Sequence, residues 1–440
     1  MIKILMPKVY CTPEVMASSH LQNDELEAFA ASGLQCVIYT PTPTRGVIKE
    51  IRNEYKKHKH EFLHDGKIEI CRFSLYGEGT NPLLRAFRYF LFCAISLNKC
   101  LFGKESKECN VLFSVSTPPI IGAMSALVKK WRKIPFVYNL QDISPDSLVG
   151  TGLAKKGGIL WKIGRVIENF TYRNADKIIV ISEDFKRNIM AKGVPEEKIE
   201  VIYNWVDENA VVPVDKGENP LYEEFGISRE KFTVVYAGNL GNAQNIGIIM
   251  DAARALKGNE GIQFVIFGKG GLEDEIKQAR EREHLENLMI LPLQPFERVS
   301  QVYGLGDVCI VACKPGLGGA AMPSKTWSIM SSGRAVLANF DEGELKNILE
   351  GCYDNPSTCS GRADDDNKVG ACGVFTKAGD LEGFVSAIER LSQNPALCAR
   401  MGRNGREFIL RNLTKEVGTR KYVEVIKGCA NDNDDEVKNR

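Results

Sequence analysis

The chain of 440 residues has no apolar run approaching the roughly 20 residues that a membrane-spanning helix needs. Its most apolar stretch, around residues 89–97, falls well short. No cleavable leader is expected: the first seven residues are too short an apolar run and are expected to form a first strand. Net charge is nearly absent, +1 at pH 7, so bulk electrostatics give no reason to expect a nucleic-acid partner, and none is expected. Histidine is scarce, and His58, His60 and His64 sit among Lys56, Lys57 and Lys59, which reads as a basic loop or surface helix and not as a metal site. The 13 cysteines contain no CxxC pair, and Cys352, Cys359 and Cys372 match no zinc spacing, so no metal is expected. Cys93, Cys309 and Cys313 fall in apolar runs, which suits buried free thiols in a reducing cytoplasm, the expected location.

What is present is ordinary globular composition, 44% hydrophobic and 26% charged, at a length for two to three domains. Charge is unevenly spread. Residues 1–200 hold 29 Lys/Arg against 21 Asp/Glu, and the remainder holds 28 against 35. A basic first half suits an anionic surface or substrate, or reflects uneven surface charge alone. Short apolar runs alternate with segments of helical period. Cys36-Val37-Ile38-Tyr39, Val111-Leu112-Phe113-Ser114-Val115, Phe136-Val137-Tyr138-Asn139 and Lys177-Ile178-Ile179-Val180-Ile181 are strand candidates in the first half. After Asp207 a polar stretch with Pro and Gly interrupts the alternation, which restarts at Thr233-Val234-Val235-Tyr236-Ala237 and continues through residues 263–267, 288–291, 307–312 and 335–338.

The pattern predicts an α/β protein of two Rossmann-like, doubly wound parallel-sheet domains facing across a cleft. The expected divisions are a first domain at 1–207, a linker at 208–228, a second domain at 229–394, C-terminal helices at 395–430 that cross back to the first domain, and a frayed polar tail at 431–440. Residues 352–371, with Asp364-Asp365-Asp366, read as a solvated surface insertion. Within 83–102, Leu84, Phe87, Leu91, Ala94, Ile95 and Phe102 fall near one helical face with Arg85, Arg88 and Lys99 near the ends. Such a helix lies in a membrane interface or is buried in the first domain.

The stretch Gly316-Leu317-Gly318-Gly319-Ala320-Ala321-Met322-Pro323-Ser324-Lys325 follows an apolar strand and opens a helix. Glycine N–H groups and a helix N-terminus favour anions, and Lys325 adds a point charge, so a diphosphate cradle is expected there. Ser328, one turn on, reads as a ribose contact or a small helix residue. Gln141-Asp142-Ile143-Ser144-Pro145-Asp146 follows the strand at 136–140. Asp142 faces the ligand there or caps the next helix.

Four segments in order carry a family resemblance. Asn174-Ala175-Asp176 runs into Lys177-Ile178-Ile179-Val180-Ile181-Ser182-Glu183. Gly193-Val194-Pro195-Glu196-Glu197-Lys198-Ile199 precedes Val201-Ile202-Tyr203-Asn204-Trp205-Val206-Asp207. Tyr236-Ala237-Gly238-Asn239-Leu240-Gly241-Asn242-Ala243-Gln244-Asn245 opens the second domain, and Pro323-Ser324-Lys325 stands before Gly333-Arg334. Together they resemble the GT-B retaining glycosyltransferases of family 4, especially the WbuB-like branch that builds bacterial surface polysaccharides.

The chain departs from that family in three places. Asn239 and Gln244 stand where many members have Arg and Lys. The paired glutamates, seven residues apart, would fall near Ala320 and Ser328 and are absent. Pro13-Glu14-Val15-Met16-Ala17 lacks the first-domain glycine pair.

The resemblance implies an enzyme, a hexosyltransferase moving a sugar from a UDP- or GDP-sugar to a lipid-diphosphate-linked acceptor in capsule, exopolysaccharide or O-antigen synthesis, peripheral on the inner face of the cell membrane. It implies no metal and no cofactor beyond the nucleotide-sugar substrate. The donor residues it marks are Asn239, Gln244, Lys314, Gly318, Gly319, Ser324, Lys325 and Ser328, with the base near Leu293 and Gln294. The acceptor residues are Glu14, His20, Ser116, Thr117, Gln141 and Asp142, with Lys325 and Asp142 carrying the chemistry. A sugar-nucleotide 2-epimerase of the same architecture and a non-catalytic scaffold subunit are the alternatives.

Overall fold

The computed structural model describes all residues except 15–18, 80, 151–153, 319–321, 352–369 and 439–440, and of 148, 150 and 432–438 it describes the backbone alone. The chain divides into two compact units, Met1–Asn204 with Glu416–Arg440, and Trp205–Lys415.

The first unit is built on strands β1 (Lys3–Pro7), β2 (Gln35–Pro41), β3 (His60–Leu63), β4 (Ile68–Phe73), β5 (Val111–Val115), β6 (Phe136–Leu140), β7 (Lys177–Val180) and β8 (Ile199–Val201). They form one sheet in the order β3-β4-β2-β1-β5-β6-β7-β8, parallel throughout except for the edge strand β3. Its helices are α1 (Ser19–Ala31), α2 (Lys49–Tyr55), α3 (Pro82–Phe102), α4 (Ile120–Arg132), α5 (Asp146–Gly150), α6 (Ile159–Asn174) and α7 (Glu183–Ala191). Near-continuous apolar strands such as β6, buried at every position, mark a sheet covered on both faces. Asn81 starts α3 by accepting from the Leu83 and Leu84 N–H groups, with Pro82 at the first helical position.

The second unit has strands β9 (Phe232–Asn239), β10 (Ile262–Lys269), β11 (Leu288–Pro292), β12 (Val308–Ala312), β13 (Ala335–Phe340) and β14 (Gly373–Lys377). Their order, β11-β10-β9-β12-β13-β14, is the 3-2-1-4-5-6 arrangement of dinucleotide folds, all parallel. Helices α8 (Leu221–Phe225), α9 (Ile246–Ala255), α10 (Glu273–Arg282), α11 (Val299–Gly304), α12 (Lys325–Ser331), α13 (Glu344–Leu349), α14 (Leu381–Ser392) and α15 (Pro395–Asn412) cover it. The segment 208–228, read from sequence as a linker, contains α8 and belongs to this unit, where Leu221 and Tyr222 are buried and the Tyr222 hydroxyl donates to the Leu305 carbonyl at 2.8 Å.

The last helix, α16 (Lys415–Lys438), returns to the first unit. Its Tyr422 lies edge-on to Phe113, centroids 6.2 Å apart, and Phe113 in turn meets Phe29 of α1. α15 stays in the second unit, where Phe408 stacks on Trp327 of α12. The 431–440 tail, expected to fray, continues as helix to Lys438. The insertion expected at 352–371 lies almost wholly outside the described residues. No described helix is long and apolar enough to cross a membrane.

Candidate functional site

In doubly wound sheets ligands bind beyond the carboxyl ends of the strands, at the point where connections turn outward in opposite directions. In the second unit that point lies between β9 and β12. β9 ends in Gly238-Asn239 and β12 is followed by Cys313 and Lys314.

Lys325, the first residue of α12, places its Nζ 4.0 Å from the ring centroid of Tyr236. Tyr236 is fully buried, and its hydroxyl donates to the Asn239 carbonyl at 2.8 Å, so one side chain fixes both the β9 turn and the ammonium above it. Gly238 has φ +141°, and a Cβ there would stand 2.9 Å from Lys325 Nζ. Burial pulls the Lys325 pKa from the ordinary lysine value down to about 7, because the charged form has lost water without gaining a carboxylate among the described residues. This is an ammonium poised to take an anion. The cation–π contact offsets part of its desolvation.

Asn239 and Gln244 stand together, Nδ2 to Oε1 at 3.5 Å, and a Cβ at Gly241 would strike both. Lys314 is exposed, and its N–H bonds the Ala243 carbonyl at 2.9 Å, tying the loop after β12 to the turn after β9. These groups, drawn from three loops, gather at one strand end.

Other donor-side expectations fare differently. The Gly318 N–H donates to Asp341 Oδ2 at 2.8 Å, so it is already committed, and to a carboxylate that would repel a diphosphate. Gly319 lies outside the described residues. Helix α12 has only seven residues, and Ser324 at its start makes no side-chain cap bond. Ser328 lies one turn into α12, where its carbonyl accepts from the Ser332 hydroxyl. Leu293 is half exposed, while the Gln294 amide is taken by its own turn and by Arg298.

In the first unit several of the expected acceptor-side residues already hold protein partners. Glu14 is buried, and its Oε1 accepts from the Thr44 and Arg45 N–H groups at 2.7 and 2.9 Å, clasping two loops. Burial raises its pKa while those N–H groups oppose the rise. Ser116 is buried, and its hydroxyl accepts from the Gln141 and Asp142 N–H groups at 3.0 and 3.2 Å, joining the ends of β5 and β6. The Gln141 amide donates to Asn139 and Tyr422 and accepts from Asn204, so it helps anchor α16. His20 is exposed on α1.

Thr117 and Asp142 remain open to solvent at the strand ends. The Asp142 carboxyl is raised above the usual value by its crowded surroundings, and the Ser147 hydroxyl works against the rise.

Sequence reasoning missed two residues. Tyr236 shares a strand face with Gly238 by the two-residue alternation of β9, which is the only signal that could have found it. Lys8 directly follows β1 and is 5% exposed, yet in sequence it is one lysine after a proline.

Among the described residues, one group of possible metal ligands gathers at the β3–β4 edge: His60, Glu69, Cys71 and Glu105, with donor atoms within 4.8 Å of one another. His60 Nδ1 meets Glu69 Oε1 at 3.3 Å, and the Tyr39 hydroxyl donates to Glu105 Oε2 at 3.1 Å, so protein partners account for the arrangement.

Known proteins fall in line with this geometry. The glycosyltransferase family 4 model matches residues 24–210, and the model for glycosyl transferases group 1 matches residues 231–394. A putative colanic acid biosynthesis glycosyl transferase, WcaI of Escherichia coli K12, is 24% identical over 97% of this chain and 100% of its own length. Sucrose-phosphate synthase from Thermosynechococcus elongatus superposes with a TM-score of 0.72 at 14% identity, covering 97% of this chain and 99% of that one. Anabaena HepE in complex with UDP superposes at 0.66 with 16% identity, covering 97% of this chain and 100% of that one. With two parallel-sheet units and both family models matched in order along the chain, the protein belongs to the family 4 glycosyltransferases of the GT-B fold.

Proposed function

We propose that the enzyme transfers a hexosyl unit, with retention of anomeric configuration, from a UDP- or GDP-sugar to a lipid-diphosphate-linked acceptor in the assembly of a surface polysaccharide. One observation carries the donor side: the desolvated Lys325 ammonium over Tyr236, without a carboxylate partner among the described residues, beside the Asn239–Gln244 pair at the strand ends. In the transfer the bond from the anomeric carbon to the diphosphate breaks. Negative charge grows on the leaving phosphate, and a fixed ammonium in a water-poor site stabilises that charge more than it stabilises the bound ground state. The Asn239 and Gln244 amides hold phosphate oxygens or donor hydroxyls. Asp142, exposed at the end of β6, orients the acceptor hydroxyl and takes its proton. No protein nucleophile is invoked. The UDP bound by HepE and the polysaccharide named for the WcaI relative support this reading.

The acceptor side is supported by one face of the first unit. Helices α3, α4 and α6 pack side by side. Leu83, Phe87 and Phe90 on α3, Trp131 on α4, and Ile159 and Val166 on α6 are exposed by more than half. Besides the buried Arg88 and Glu168, the three helices carry Arg85, Lys99, Lys129, Lys130, Arg132, Lys162, Arg165 and Arg173 and no further carboxylate. An apolar stripe bounded by cations suits the anionic inner leaflet, where the acceptor's lipid resides. The whole reading is tested by incubating the purified protein with UDP- and GDP-sugars and a panel of polyprenyl-diphosphate sugars. A glycosylated lipid is the expected product. Interconversion of sugar nucleotides without acceptor would point to an epimerase, and nucleotide binding without turnover on any acceptor would point to a scaffold.

A further inference from the structure

The first sheet has its own switch point, between β1 and β5, and a group sits there that the donor chemistry does not use. β1 ends at Pro7 and β5 at Val115. Chain connections leave these neighbouring strands in opposite directions, which opens a crevice. Lys8 is the first residue past β1. Its N–H bonds the Tyr39 carbonyl at 3.0 Å, so the backbone is pinned, and its Nζ is buried without a hydrogen-bond partner. It lines two small adjoining cavities that share Tyr10 and Gln22. One of these, at the switch point, also takes in Thr117, Ile121 and Gln141 and contains no carboxylate.

The charge around Lys8 is poorly matched. Glu25 is the buried carboxyl that feels it, but the two form no ion pair. Burial holds Glu25 near a pKa of about 7, and Asn139 Nδ2 bonds its Oε1 at 3.5 Å. Two further polar side chains border the same cavity with no partner among the described residues, the Gln22 amide and the Thr117 hydroxyl. Tyr10 is spent on Glu78, to which its hydroxyl donates at 2.6 Å. A buried amino group that feels Glu25 only at a distance, with no hydrogen bond or ion pair among the described residues, is a standing cost to the fold, and such a cost persists where an incoming anion offsets it.

We propose that Lys8, with Gln22 and Thr117, forms an anion subsite in the first unit and that its ligand is a phosphate of the acceptor's diphosphate. Three side chains able to donate, from the end of β1, from α1 and from the loop before α4, line one cavity, which suits a tetrahedral phosphoryl group with several oxygens. The subsite rests on the acceptor reading given above, and it extends that reading by naming the residue that tells a diphosphate-linked acceptor from a neutral one.

The test uses the full-length protein and the Lys8→Met variant, assayed with a polyprenyl-diphosphate sugar and with the same sugar on a neutral alkyl chain. A lost hydrogen bond to a charged group corresponds to a change of about 10- to 100-fold. Lys8→Met is therefore expected to raise KM for the diphosphate acceptor by that factor, to leave kcat within about twofold, and to leave the neutral acceptor unaffected. Lys8→Arg is expected to recover part of the loss. The variant is also expected to melt at a higher temperature than the parent and to bind UDP equally well, since a buried uncompensated charge has been removed from the other unit.

A second arm is independent of turnover. Inorganic pyrophosphate is titrated calorimetrically into protein saturated with UDP, with heat expected for the parent and none for Lys8→Met. Equal KM values for parent and variant on the diphosphate acceptor, or pyrophosphate binding that survives the substitution, would overturn the subsite. If the parent transfers sugar to no acceptor, the reading of function fails, and the pyrophosphate arm still decides the subsite.

Discussion

Lys325 sets the residue-scale expectations. Its pKa near 7 in the fold lies below the ordinary lysine value, so between those two pH values the unfolded chain binds the extra proton and stability rises with pH. The burial penalty is therefore fully felt below pH 7 and relieved toward pH 10. Lys325→Met should raise the melting temperature more at pH 6 than at pH 9, as read by calorimetric scans at both values, and an equal gain at both would remove the linkage. A bound diphosphate restores the charged form. UDP binding at pH 8 should thus take up close to one proton, seen as a dependence of binding heat on the ionisation enthalpy of the buffer. Gly238→Ala is the complementary substitution. A methyl at φ +141° is strained by about 1–3 kcal/mol and pushes into the Lys325 ammonium. Thermal stability and UDP affinity should fall together, and loss of stability with affinity intact would separate Gly238 from the site. Lys325 was legible in sequence because Pro-Ser-Lys after a glycine-rich turn is a local pattern. Lys8 was not, because its meaning lies in its burial and in what its neighbours leave unpaired, which no spacing encodes. Gly318 misled for the same reason: its N–H was read as free, and a carboxylate 23 positions along the chain takes it.

At the scale of elements, strands buried on both faces announced themselves. β5, β6, β9 and β12 are continuous apolar runs, and the sequence locates each to within a residue or two. β4 escaped because Glu69 and Arg72 interrupt it, and β3 because its edge position leaves alternate residues exposed. The helix at 82–102 was left open between core and membrane interface. It has a face for each, with Arg88, Phe92, Cys93, Ser96 and Cys100 buried in the unit and Leu83, Phe87 and Phe90 exposed. That outward stripe, continued by Trp131 and Ile159, carries the element-scale prediction. In co-sedimentation the protein should partition onto vesicles containing phosphatidylglycerol and much less onto neutral ones. Replacing Arg85, Lys130 and Lys162 by Gln should weaken partition about fivefold per cation removed. Phe87→Ser with Phe90→Ser should weaken it at high salt as well, where the charge contribution is screened. A dimer on gel filtration that the same variants abolish would reassign the face to self-association.

On the scale of the whole molecule, the two units differ in how they hold charge and chain. The first carries the basic excess and the second the acidic one. The second is a continuous segment of the chain, with its own six-stranded sheet and a large apolar core of its own. A fragment comprising residues 205–415 should fold cooperatively and bind UDP with an affinity close to that of the intact enzyme. A fragment that melts without a transition would show that the unit depends on the rest of the chain. The division could be read from the interruption after Asp207. The return of α16 depends on contacts such as Tyr422 with Phe113, which link residues more than 300 positions apart and leave no local signature.

The chain enters and leaves the second unit at one place. Val206 pairs with Thr414, its N–H bonds the Leu413 carbonyl at 3.2 Å, and the Lys415 N–H reaches the Glu208 carboxylate at 3.2 Å. Genetically, this makes residues 205–415 a cassette with its two splice points side by side, so that exchanging it between relatives alters two adjacent junctions and leaves the rest of the chain as it was.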